Sequence, residues 1–166
     1  MDGHSKTRVL NINYFVHPIP LSAVAIMALN DHFLKWHYPS WWTGKLSDFT
    51  GVFFFPLFIC ALINTLRHYV LRQSTWITRK QLLFAIVFTD AIFAGIKLNS
   101  TLANFYIESL SFLGVRAAVT SDYSDLIAVG MNLLTWRFAL PFFDRSPEMN
   151  IADVARVIPA RNDEVV

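Results

Sequence analysis

Four apolar runs separated by polar stretches dominate the chain. A helix needs about 20 predominantly apolar residues to cross a bilayer. The runs therefore predict an all-α polytopic membrane protein, with a bundle of four transmembrane helices inside residues 19–140 and polar ends at 1–18 and 141–166. The predicted spans are Leu21–Lys35, Leu46–Leu66, Leu82–Leu98 and Asp125–Leu140.

The first run is the shortest of the four. Its apolar part, Leu21–Leu29, reaches membrane length only if the helix continues through polar residues to Lys35. A basic start followed by about ten apolar residues also fits a signal peptide, although no small-x-small cleavage site follows it. A retained first span is the main prediction, and cleavage is the alternative.

The composition is that of a membrane protein, with 54% hydrophobic, 15% aromatic and 16% charged residues. A soluble domain of this length would need more polar residues to cover its surface. The net charge of +2 is small and no stripe of Lys and Arg forms, which argues against nucleic acid as a partner. The single cysteine, Cys60, is expected to pack as a small hydrophobe. The pattern predicts no disulfide, no metal site and no cofactor.

Lysine and arginine are distributed unequally between the two predicted faces of the membrane, which is the property that sets topology. Four spans place ten of these residues on one side and four on the other. The bias predicts that both termini and the basic loop after the second span are cytoplasmic. The connections 36–45 and 99–123 are then outside.

Two shorter segments are predicted to be helical without crossing the membrane. Ser100–Leu113 has apolar residues at helical spacing but is too polar to span. We interpret it as an interfacial amphipathic helix or a packed loop. In the C-terminal tail the pattern predicts at most one short helix, around Ile151–Val157.

Polar side chains gather at the predicted outer ends of the spans. Helix dipoles explain much of this pattern, because acids stand at helix N-termini and bases at C-termini. Asp31 and Lys35 are also four residues apart in the favourable acid-first order, which predicts an ion pair between them. Gly44–Asp48 adds a turn, a cation, a hydroxyl and a carboxylate at one helix entrance, and helix N-termini attract anions. The pattern predicts an outward-facing polar cavity. Its candidate ligand-binding residues are Asn30, Asp31, His32, Lys35, Lys45, Ser47, Asp48, Lys97, Asp122 and Asp125.

Asp90 does not fit the dipole explanation, because it lies midway along the third span. A carboxylate near the bilayer centre must be neutral or partnered. Lys97 and Asn132 are the partners that lie at a suitable depth. One interpretation is an interhelical hydrogen bond to Asn132 or Thr89. The other is a proton-relay site formed by Asp90 and Asn132.

Four pieces of sequence carry a resemblance to a known family. They are Asn30-Asp31-His32-x-Leu34-Lys35, then Thr43-Gly44-Lys45-Leu46-Ser47-Asp48-Phe49-x-Gly51 with Pro56 behind it, then Lys97, and Asp122-x-x-Asp125-Leu126-Ile127-Ala128. Over most of residues 17–137 the chain resembles a family of small, uncharacterised bacterial four-span membrane proteins. More loosely it is similar to the VanZ-like proteins, which are linked to glycopeptide-antibiotic resistance at the cell envelope. These resemblances imply a multi-pass protein of the bacterial inner membrane, and neither implies a known reaction.

Binding of an anionic lipid or cell-wall precursor head group is the function that we favour from the sequence. Lys45 and Lys97 would be the counter-charges in the outward-facing cavity. A proton-coupled transporter or channel component using Asp90 is the alternative. The four spans contain no internal repeat, which argues against a complete transporter, although a homo-oligomer could supply the second half.

A membrane-embedded hydrolase is the second alternative, with His32 acting beside Asp31 or Asp48. The chain lacks a nucleophile elbow and a closely spaced pair of metal-binding histidines. His32 and His37 are spaced poorly for shared metal ligation on one helix face. The sequence therefore leans away from an enzyme.

Overall fold

The computed structural model describes residues 9–112 and 122–143, and within these ranges it contains helices and no named strand. This confirms the all-α prediction. The short helix predicted around Ile151–Val157 lies outside the described residues. The α-helices are α1 (Pro18–Leu29), α2 (Lys35–His37), α3 (Trp41–Tyr69), α4 (Arg79–Leu98), α5 (Ser100–Phe112) and α6 (Met131–Ala139).

Helical structure covers each of the four predicted spans. Helices α3 and α4 are long and apolar enough to cross a membrane. The first segment is built from α1, a π-helical turn at Asn30–Leu34, and α2. The last one is built from a 3-10 helix at Tyr123–Gly130, then α6, then a 3-10 turn at Leu140–Phe142.

Helix α3 is the centre of the bundle, with α1, α4 and α6 packed against it. Ser40 stands before its first turn, and its hydroxyl accepts the backbone N–H of Thr43 at 3.3 Å. In return the hydroxyl of Thr43 accepts the backbone N–H of Ser40 at 2.9 Å. This capping box satisfies groups that a helix start leaves free. The helix therefore begins at Trp41, earlier than the predicted Leu46, and it continues through the buried Pro56.

Helix α4 also begins earlier than predicted, at Arg79 instead of Leu82, because the Thr78 hydroxyl accepts the backbone N–H of Gln81. Its C-terminus at Leu98 is the predicted one. Between α3, α4 and α6 lies an apolar core in which Cys60 is fully buried, as predicted. Other members of this core are Phe53, Leu57, Leu82, Ala85 and Ala139.

The described part of the N-terminal segment packs into the bundle. Tyr14 is fully buried, and its hydroxyl accepts a hydrogen bond from Asn64 of α3 at 3.2 Å. The side-chain oxygen of Asn64 accepts a second bond from Gln81 of α4 at 3.0 Å. This polar group joins the segment to two helices at the end of the bundle where α3 finishes. The sequence pattern did not anticipate it, because residues 1–18 were interpreted as a polar end of the chain.

The segment predicted to be an interfacial helix or a packed loop is a helix, α5. Ala103 is its buried residue, whereas Leu102, Phe105 and Tyr106 are exposed. Helix α5 therefore leaves large apolar side chains exposed, although Leu102 also lies against Gly95 of α4.

Candidate functional site

Lys45 is the centre of a buried charged group at the end of the bundle where α3 begins. Lys45 is only 3% exposed. The ammonium nitrogen Nζ lies 2.5 Å from Asp125 Oδ1, 2.6 Å from Ser124 Oγ and 3.4 Å from Asp122 Oδ2. All three partners belong to the start of the last helical segment. The ring of Trp41, one turn earlier in α3, lies under the ammonium group with its centroid at 5.4 Å.

Asp125 joins Lys45 to a second lysine from a third part of the chain. Its other carboxylate oxygen, Oδ2, lies 2.6 Å from Nζ of Lys97 at the end of α4. Lys97 also donates to Asp48 Oδ2 of α3 at 2.9 Å. The charges thus alternate from Asp48 through Lys97, Asp125 and Lys45 to Asp122. We call these five residues and Ser124 the lysine network.

Local structure at the start of the 3-10 helix presents two of the carboxylates to the lysines. Asp122 precedes the first turn, and its Oδ1 accepts the backbone N–H of Ser124 at 2.8 Å. The backbone carbonyl of Asp122 accepts the N–H of Asp125 at 3.0 Å. This capped turn places Asp122 at the rim, with its side chain 49% exposed, while the Asp125 side chain is 8% exposed.

A second polar group lies beside the lysine network and joins the first helical segment to α3. We call it the asparagine network, and its members are Asn30, Asp31, Lys35, Thr43 and Ser47. Asn30 is fully buried, and its Nδ2 donates to Ser47 Oγ and to the backbone carbonyl of Thr43, both at 2.8 Å. Ser47 in turn donates to Asp31 Oδ1 at 2.5 Å, and the same oxygen accepts Lys35 Nζ at 2.6 Å. The Asp31–Lys35 pair is the four-residue helical spacing that the sequence favoured.

The lysine network contains three carboxylates and two ammonium groups, which gives it a formal charge of −1. Both lysines are matched by aspartates and are shielded from solvent. Breaking a buried ion pair by removing one partner costs about 3–5 kcal/mol, because the remaining charge stays buried without compensation. The network therefore ties α3, α4 and the last helical segment together. All three N–H groups of Lys45 are used, so an anion that binds Lys45 has to displace Asp122, Ser124 or Asp125.

Asp122 and Tyr106 have shifted pKa values at this end of the bundle. Hydrogen bonds from the Ser124 hydroxyl and backbone N–H, together with the charge of Lys45, hold the pKa of Asp122 below its ordinary value. Burial, and then the negative charge of Asp31, raise the pKa of the Tyr106 phenol on α5. Asp122 is thus stabilised as a carboxylate and Tyr106 as a neutral phenol.

The predicted contact between Asp90 and Asn132 is present. Asn132 Nδ2 of α6 donates to Asp90 Oδ1 of α4 at 2.6 Å. Lys97, the other partner considered, bonds to Asp48 and Asp125 instead. The interhelical hydrogen bond that the sequence allowed is therefore formed, and Asp90 pairs with no cation in the described part of the chain.

The structure brings nine of the ten candidate ligand-binding residues into the two networks. His32 is the exception, because it is exposed on the π-helical turn and bonds to neither Asp31 nor Asp48. Both of those carboxylates are bound to a lysine. Among the described residues, no cluster of His, Cys, Asp and Glu is arranged to hold a metal ion.

Two further members of the networks were not among the candidate ligand-binding residues. The Ser124 hydroxyl accepts a hydrogen bond from Lys45, and the backbone carbonyl of Thr43 accepts one from Asn30. Ser124 could have been found from its position between Asp122 and Asp125, two residues that were already candidates. No signal was available for Thr43, because any residue could supply that carbonyl.

Comparison of the chain with protein-family models, with curated proteins and with solved structures finds no match. The site therefore has to be interpreted from its own geometry.

Proposed function

We propose that this chain is a small four-span protein of the bacterial inner membrane, with the lysine network at the outer face. Helices α3 and α4 support the first part of this proposal by their length and apolarity. The helical segments 18–37 and 123–142 are each long enough to complete a span. Large apolar side chains, among them Phe84, Phe88 and Leu134, are exposed on the outside of the bundle. Lipid is the solvent that suits such a surface.

The activity that we propose is binding of the anionic head group of a lipid or of an envelope precursor by Lys45. This proposal rests on the difference in length and burial among the three contacts that the Lys45 ammonium group makes. Asp125 and Ser124 lie at 2.5 and 2.6 Å, whereas Asp122 lies at 3.4 Å and is half-exposed. Asp122 is therefore the one partner that a phosphate could replace without opening the buried part of the network.

Binding in this form is an exchange of anions. The phosphate takes the place of the Asp122 carboxylate at the third N–H of Lys45, and Asp122 swings toward solvent. Trp41 and Trp42, both exposed at the same helix start, lie at the level where tryptophan anchors to a membrane interface. A head group at that depth is within reach of the rim.

The test is competition between Asp122 and an anionic lipid. Native mass spectrometry in a mild detergent would measure the binding of dioleoyl phosphatidylglycerol, with dioleoyl phosphatidylcholine as the zwitterionic competitor. Asp122→Asn removes the competing charge, so we expect phosphatidylglycerol to bind about two- to fivefold more tightly, the range of one exposed ion pair. Lys45→Met should abolish the preference for the anionic lipid.

Asp31→Asn is the matched control, because Asp31 is also half-exposed and paired with a lysine but lies in the asparagine network. We expect it to leave the preference unchanged. Weaker or equal phosphatidylglycerol binding by Asp122→Asn would overturn the exchange proposal. That result stays decisive even if Lys45→Met fails to fold.

A further inference from the structure

A cavity of about 420 Å³ lies between α4 and the last helical segment, separate from the lysine network. Asp90 is seven residues before Lys97 in α4, which is about 10 Å along a helix axis. The cavity has the size of a small-molecule site. Its polar side chains are Asp90 and Asn132, and its apolar walls include Ile86, Leu133 and Trp136.

The two polar side chains leave hydrogen-bond acceptors without donors. Asn132 is 7% exposed, and its amide nitrogen is used by Asp90 Oδ1 at 2.6 Å. The amide oxygen of Asn132 is buried and has no partner among the described residues. A buried acceptor without a donor costs about 1–3 kcal/mol. A bound group that carries N–H donors would recover that free energy.

The charge of Asp90 specifies the kind of donor. The carboxylate forms no salt bridge in the described part of the chain, and the nearest lysine in its own helix is bound to Asp48 and Asp125. An ionisable side chain inside a membrane-spanning helix marks a functional site more often than a structural one. A cation with at least two N–H groups would satisfy both the carboxylate and the Asn132 oxygen.

We propose that this cavity binds a protonated primary amine with a compact apolar body. The ammonium group donates to Asp90 and to Asn132 Oδ1. The apolar body packs on Ile86 and Leu133, and the indole of Trp136 offers an aromatic face to an aromatic body or to the cation. The site and its ligand are independent of the anionic head group proposed for Lys45.

The test uses 1-naphthylmethylammonium as the probe, with calorimetric titration of the full chain in nanodiscs of uncharged lipid. 1-Naphthalenemethanol, the neutral analogue, reports partitioning into the lipid. We expect the parent to bind the amine at least about tenfold more tightly than Asp90→Asn, which keeps the shape and loses the charge. The alcohol should bind parent and variant equally.

Two further measurements separate the donor requirement from general attraction of cations. The quaternary N,N,N-trimethyl derivative of the probe has no N–H, so we expect its binding to be about tenfold weaker. Glu108→Gln, which removes an exposed carboxylate of α5, should bind the amine as the parent does.

Equal amine binding by the parent and Asp90→Asn would overturn the proposal. Equal binding of the primary and quaternary cations would also overturn it, because the Asn132 oxygen would then have no role. Neither result depends on lipid selectivity at Lys45, so the two proposals fail or stand separately.

Discussion

Lys45 Nζ lies 2.5 Å from the Oδ1 atom of Asp125, across 80 residues of sequence. The pair joins the beginning of the central helix α3 to the beginning of the last helical segment. Both side chains are almost completely shielded from solvent. Asp125 holds Lys97 through its second oxygen. One carboxylate therefore balances charges from two helices, and this makes it the most consequential side chain of the network.

Replacing Asp125 should destabilise the protein more than replacing any other aspartate of the site. Asp125→Ala leaves Lys45 and Lys97 buried with fewer counter-charges, so we expect a loss of about 3–5 kcal/mol in the free energy of unfolding. Denaturant titration in detergent, followed by circular dichroism, would measure it. Asp31→Ala is the control, since its half-exposed ion pair should contribute about 0–1 kcal/mol and its hydrogen bond from Ser47 about 0.5–1.5 kcal/mol. Similar losses for both variants would contradict the central role of Asp125.

Asp48 and Lys97 should be energetically coupled. Removing Lys97 leaves Asp48 without a cation, and removing Asp48 leaves Lys97 with Asp125 alone, so each single change to an apolar residue is expected to destabilise the bundle. The double variant Asp48→Leu/Lys97→Met removes both charges, and it should recover at least about 1 kcal/mol relative to the sum of the single changes. The double variant Asp31→Leu/Lys97→Met is the uncoupled control. Additive effects in the Asp48/Lys97 cycle would show that the contact contributes nothing.

Tyr14→Phe should loosen the attachment of the N-terminal segment. The change removes the hydroxyl that accepts from Asn64 and leaves a buried donor unpaired, at a cost of about 1–3 kcal/mol. We expect faster proteolysis before Pro18 and a lower unfolding temperature. The exposed Tyr69→Phe is the matched control and should change neither. Unchanged stability of Tyr14→Phe would mean that the hydrogen bond has no net effect.

The contribution of Asp122 to stability should depend on pH. Its pKa is lowered in the folded state, so its ionised form favours folding. That contribution is complete above the unfolded pKa of about 3.9 and is lost as the pH falls through the folded pKa. The difference in unfolding temperature between the parent and Asp122→Asn should therefore be constant from about pH 5 to pH 8 and disappear in stronger acid. A difference that grows on acidification would contradict the assignment.

Membrane topology can be tested without removing the native thiol, because Cys60 is fully buried and should not react. With both termini cytoplasmic, an impermeant maleimide should label Pro39→Cys from outside intact cells. Ser74→Cys, which is also exposed, should be labelled only after the membrane is broken. Labelling of Ser74→Cys in intact cells would reverse the orientation and place the lysine network on the cytoplasmic side.

Features that depend on neighbouring residues followed from the sequence alone. Apolar runs predicted the helices, and the four-residue spacing of Asp31 and Lys35 predicted their ion pair. Acids at helix starts and bases at helix ends predicted that the charges gather at one end of the bundle. The predicted helix starts were less accurate, because the Ser40–Thr43 capping box extends α3 to residues before its apolar run.

Pairing between distant residues was decided by the tertiary structure. Lys45 and Asp48 are close in α3, yet each bonds to another part of the chain, Lys45 to Asp125 and Asp48 to Lys97. Helical periodicity gives the direction of a side chain but not the helix that it meets. Burial of Tyr14 depends likewise on the positions of α3 and α4, which no local pattern contains. The choice of partners follows from which helices pack together, because a buried charge must take the counter-charge that packing brings within reach.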